Sequence, residues 1–117
     1  MSRAVMGVVL VVLAPITEEV MFRGVLLRAL TKAGRRAAMV WSALIFAGFH
    51  LFGLSGDVLR GAILTMPTFF VMGLILASVT MKRGRLGPAI FIHSGFNLLA
   101  MVVLLMPPEL VEQLLQP

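Results

Sequence analysis

Residues 4–30 read AVMGVVLVVLAPITEEVMFRGVLLRAL, an apolar run interrupted near its middle by Glu18, Glu19 and Arg23. At about 1.5 Å per residue such a run is long enough to cross roughly 30 Å of hydrocarbon as one helix. It is too long for the apolar region of a cleaved signal peptide, and no clean small-x-small cleavage site follows it. Three more stretches have the same character, and together they predict an all-α, polytopic membrane protein. Its four transmembrane helices fall at about residues 4–30, 37–52, 58–81 and 88–106, with an interfacial tail at 107–117, in a single unit spanning 1–117. The whole chain agrees, with 60% hydrophobic residues, 13% charged residues and a mean hydropathy of +1.05. A soluble domain of 117 residues has nowhere to bury that much apolar surface.

The connections carry the charge. Lys32, Arg35 and Arg36 lie in the first and Lys82, Arg83 and Arg85 in the third, which two antiparallel turns place on one side. The positive-inside rule makes that side cytoplasmic and puts both termini outside, in the plasma membrane of a bacterium or archaeon. Basic residues spaced this way describe topology, and no nucleic-acid partner is expected. Gly34 suits a helix C-cap, Pro88 a first helical turn and Pro107-Pro108 a stop. Small residues four apart, Ala43/Ala47 and Gly73/Ala77, allow close helix contact. Pro15 frees a backbone carbonyl in the first helix, near Glu18.

Charges at mid-membrane cost about 2.5–3.5 kcal/mol each even on the lenient insertion scale, so they need partners or a function. Glu19 and Arg23, four apart, share a helix face and form a pair, whereas Glu18 points away from both. Left without a cation on its own helix, Glu18 is suited to take a proton as a general base. A hairpin pivoting at Gly34 sets His50 level with Glu18, roughly 24 Å from the turn. His93 and Asn97 share a face of the fourth helix, roughly 12 and 18 Å in from Arg85. A carboxylate, two imidazoles and an amide are the parts that activate water and stabilise an oxyanion.

The residue inventory removes several other routes. There is no cysteine, and Asp57 is the only aspartate, so thiol and paired-aspartate chemistry are excluded. No H-E-x-x-H occurs, although a metal site built from Glu18, His50 and His93 on three helices stays open, with zinc as one candidate. Gly53-Leu54-Ser55-Gly56 matches the G-x-S-G of rhomboid-type serine proteases, with His93 as a base, but leaves Glu18, Glu19 and Arg23 unexplained. A conduction pathway needs polar residues through the full membrane thickness, and here they gather at mid-depth.

Three of these elements together resemble the CPBP family of intramembrane proteases, the CAAX proteases and bacteriocin-processing enzymes also called ABI, which includes the Ras-converting prenyl-protein endopeptidase. Its pattern of E-E-x-x-x-R, F-x-x-x-H and H-x-x-x-N is met by Glu18-Glu19-Val20-Met21-Phe22-Arg23, Phe46-Ala47-Gly48-Phe49-His50 and His93-Ser94-Gly95-Phe96-Asn97. The resemblance implies an intramembrane endopeptidase in which Glu18 activates water and His50 helps to hold it. It implies that His93 and Asn97 donate to the oxyanion and that Glu19 with Arg23 supports the site. It also implies a membrane-associated peptide or protein substrate, prenylated or a leader peptide, reached from the lipid, with no metal required on the favoured mechanism. A non-proteolytic relative acting in bacteriocin immunity or as a membrane scaffold is the alternative. Members of the family carry further helices before the E-E-x-x-x-R segment, so the chain is expected to represent the catalytic core.

Overall fold

The computed structural model describes residues 2–117. Four helices long and apolar enough to cross a membrane run up and down in sequence, and the described residues include no strand. We label them α1 (Arg3–Ala33), α2 (Arg35–Gly53), α3 (Val58–Arg83) and α4 (Gly87–Leu105). The tail, expected only to lie at the interface, folds into a fifth short helix, α5 (Pro108–Leu115). The spans agree with the sequence reading to within a few residues at each end.

The turns are set by local chemistry. Gly34 stands at φ +99° between α1 and α2, and Gly84 closes α3 in the left-handed region at φ +67°, donating its N–H to the Thr80 carbonyl. Neither conformation suits a residue with a Cβ. Asp57 caps α3, its side chain accepting from the Arg60 N–H at 3.1 Å. Pro67 lies inside α3, and the helix continues through it.

Helix α1 is not a regular α-helix. It is α-helical at Arg3–Val8, Ala14–Glu19 and Leu27–Leu30, and π-helical at Val9–Leu13 and Val20–Leu26. The first π segment runs up to a proline. The Ala14 N–H bonds the Val9 carbonyl, five residues back, so the next bond in that register would run from residue 15 to the Leu10 carbonyl. Residue 15 is proline and has no N–H to give.

Small residues draw α2 and α3 together. A Cβ on Gly73 would lie 3.0 Å from both the Cα and the Cβ of Ala43, and Ala43, Ala47 and Ala77 are fully buried. Helix α4 closes the bundle by packing on α3 and back against α1. The α3–α4 turn does not sit level with Gly34. Leu86 packs against Gly24, within 3.4 Å of where a Cβ would stand, about 15 Å further along α1. This offset accounts for a mismatch in the sequence-based depths, since His50 lies roughly 24 Å from one turn and His93 only roughly 12 Å from the other.

Candidate active site

The six polar residues of the three motifs come together on α1, α2 and α4, in two layers. The inner layer is sealed. Glu19 and Arg23 are fully buried, with Arg23 Nη1 donating to Glu19 Oε1 at 2.9 Å. Arg23 Nη2 reaches across to α3 and donates to the Gly73 carbonyl at 3.1 Å. Its guanidinium carbon stands 4.3 Å from the centroid of the Phe46 ring, a cation–π contact that gains strength away from water. The close approach at Gly73 thus does two things, since it lets α2 and α3 touch and brings a carbonyl within reach of Arg23. Glu19 Oε2 and Arg23 Nε are left without a protein partner.

The same Glu19 Oε1 lies 2.7 Å from Nδ1 of His93, itself almost wholly buried. Glu19 pairs with Arg23 along one helix face, and the same carboxylate oxygen also contacts His93 on α4. Neither sequence spacing nor helix periodicity carries that contact, because it depends on how α4 is set against α1.

The outer layer faces a cleft of about 340 Å³ lined by Leu10, Ala14, Glu18, His50, Phe69 and Asn97 among others. Glu18 Oε2 sits 3.8 Å from His50 Nε2 and 3.5 Å from His93 Nε2. No donor satisfies this buried oxygen, while the Glu18 side chain as a whole keeps 19% exposure. Glu18 and His50 therefore meet at one depth, as the hairpin register predicts. His50 is fixed by two contacts. Its Nδ1 lies 2.8 Å from the Phe46 carbonyl, and its ring stacks on Phe69 at 4.0 Å between centroids and 19° between planes. Phe46 also meets the rings of His50 and His93 edge-on, so it is the wall between the imidazoles as well as the seat of Arg23. Phe69 was missed from sequence because a single phenylalanine in an apolar span carries no signal.

Asn97 lines the cleft and spends one amide N–H on the Leu10 carbonyl, at 2.8 Å. That carbonyl is the one whose partner Pro15 lacks. The carbonyl freed by proline is thus answered from another helix, as backbone within a bilayer requires. Ser55 lies exposed in the α2–α3 turn, whereas the two nitrogens of His93 face Glu19 and Glu18. A larger groove of about 480 Å³ lies beyond Phe96 between α3 and α4, lined by Pro67, Val71, Met72 and Ile75 among others, and holds no titratable group. Glu18 and His50 line the smaller cleft instead.

Two imidazoles and a carboxylate are donors that zinc accepts. Among the described residues, however, no three such side chains are gathered closely enough to hold a metal ion.

A family model described as type II CAAX prenyl endopeptidase Rce1-like matches residues 1–99, a range that takes in Glu18, Glu19, Arg23, His50, His93 and Asn97. No curated protein and no solved structure matches the chain.

Proposed function

This chain belongs to the type II CAAX prenyl endopeptidase family, a family of membrane proteases, and from that premise we propose that it is an intramembrane endopeptidase in which Glu18 activates water. One observation carries the proposal. Glu18 Oε2 lacks any protein donor and stands between two imidazole nitrogens, at 3.8 and 3.5 Å, at the wall of a cleft. A water held there gives one hydrogen to Glu18 and keeps its oxygen lone pairs for a substrate carbonyl. As the oxygen bonds to the carbonyl carbon, Glu18 takes the proton. The Asn97 amide hydrogen not engaged by Leu10 is available to the developing oxyanion. His50, fixed by Phe46 and Phe69, keeps the water aligned.

The substrate on this reading is a membrane-associated peptide or protein, prenylated at a C-terminal CAAX tail or carrying a leader sequence. The basic connections lie on the cytoplasmic side, and a reporter fused within residues 82–85 would overturn that orientation if it reported from outside.

The test is cleavage of a farnesylated CAAX peptide and of a bacteriocin-type leader peptide by the purified protein in lipid. Wild type should cleave at least one, with activity unchanged by a chelator. Glu18→Ala should lower turnover by about 10²–10⁴-fold. Cleavage by a folded Glu18→Ala protein at the wild-type rate removes Glu18 from the mechanism. A folded wild type that cleaves neither peptide favours the scaffold alternative.

A further inference from the structure

A carbonyl inside a membrane helix is answered by the N–H four residues on, or five on in the π register, and at Leu10 both are withheld. The Ala14 N–H bonds the Val9 carbonyl, and residue 15 is a fully buried proline. The donor comes from α4 instead, where Asn97 Nδ2 reaches the Leu10 carbonyl at 2.8 Å from 87 residues away in the chain. That contact does more than satisfy the carbonyl. A side-chain amide turned over exchanges its nitrogen and oxygen with almost no change of shape, so only its partners decide which way it lies. A carbonyl oxygen can only accept, so Leu10 admits the Asn97 nitrogen and turns the Asn97 oxygen away. One N–H is spent on α1. The second is left in a fixed direction, on a side chain that lines the cleft with Glu18 and His50. With a backbone N–H on Leu10, as in an unbroken helix, the amide has no such anchor and its oxygen is free to face the cleft. An oxygen there repels a developing oxyanion, whereas a preset N–H stabilises it without reorganisation.

We propose that Pro15 is a positioning residue for the hydrolysis. By withholding an N–H from the Leu10 carbonyl, it leaves that carbonyl to orient the Asn97 amide, with nitrogen toward α1 and one hydrogen kept for the cleft. The proposal rests on the hydrolase reading above and deepens it, since Pro15 acts through Leu10 and Asn97 and is not itself among the residues lining the cleft. It also gives a reason for a proline one turn before Glu18, where a missing backbone hydrogen bond would otherwise be a plain cost in a bilayer.

Asn97 is the only asparagine in the chain, so ¹⁵N-asparagine labelling reports one side-chain amide. Solid-state NMR of the protein in bilayers should show its two amide protons well separated in shift, one of them bonded to Leu10. Pro15→Ala should narrow that separation by half or more, and equal spectra overturn the proposal whatever the activity. Turnover is read on whichever peptide wild type cleaves. Asn97→Ala should lower kcat by about 10²–10³-fold, and Pro15→Ala by about tenfold with KM changed by less than about threefold. In the Asn97→Ala background, Pro15→Ala should change kcat by less than about twofold, because the two act through one hydrogen bond. A further loss of about tenfold in that background shows that the proline acts by another route and overturns the proposal. Replacing Pro15 by lactic acid places an ester there, which lacks the ring but also lacks the N–H, and should return kcat to within about threefold of wild type. A folded ester variant as slow as Pro15→Ala assigns the effect to the ring and overturns the proposal. Absence of turnover in wild type removes the hydrolase reading and the positioning role with it, but leaves the Leu10–Asn97 contact to be judged by the spectrum.

Discussion

Glu18 and Glu19 are neighbours in the chain and belong to different environments. Glu19 lies in a layer from which water is shut out, held by Arg23 and His93 and tied through Arg23 to the backbone of α3. Glu18 lies one residue earlier, at the wall of a cleft, with an oxygen that nothing in the protein satisfies. A helix turns about 100° per residue, so adjacent carboxylates can face a sealed interior and an open cavity. The pair teaches that one polar segment can serve stability on one face and reactivity on the other, with His93 joining the two through its opposite nitrogens.

The largest expected effect separates the two layers outright. Glu18→Ala should remove about 10²–10⁴-fold of turnover while the melting temperature in detergent stays within a few degrees of wild type. A large loss of stability in that variant would collapse the distinction between the layers. Arg23→Ala should do the converse. It leaves Glu19 buried without its cation, at a cost of about 3–5 kcal/mol, read by denaturant unfolding in mixed micelles. Activity in that variant should fall because the protein unfolds, and should return in part at lower temperature. Gly73→Leu drives a side chain into Ala43, where even a Cβ would sit at 3.0 Å, and should cost about 1–3 kcal/mol or more by the same assay.

The smallest effect tests whether the cleft carries any structural duty. Asn97→Leu leaves the Leu10 carbonyl without its donor and should cost about 0.6–1.7 kcal/mol. In a Pro15→Ala background the backbone N–H at position 15 is restored and can answer that carbonyl. The cost of losing Asn97 should then fall by half or more in a double-mutant cycle. Equal costs in the two backgrounds would show that Asn97 does not compensate for the proline.

Much of this was legible in residue order. The apolar runs, the basic connections and the glycine turns specify four spans, because a bilayer admits few backbone solutions. Charges and imidazoles at mid-depth name the candidate site, because each is too costly there to be incidental. Separation of Glu18 from the Glu19–Arg23 pair follows from periodicity within one helix. Phe69 and Gly73, by contrast, became part of the site only when α3 was placed.

The sequence by itself determined the membrane-spanning class, the four helices and six of the side chains that line the site, since these depend on composition and on spacing along a single helix. Tertiary structure alone decided that Leu86 seats against Gly24, which sets the depth of α4. That depth brings His93 between Glu18 and Glu19 and Asn97 to the carbonyl freed by Pro15. The physical reason is that relative helix depth is fixed by packing between faces, a quantity that spacing within each helix does not contain.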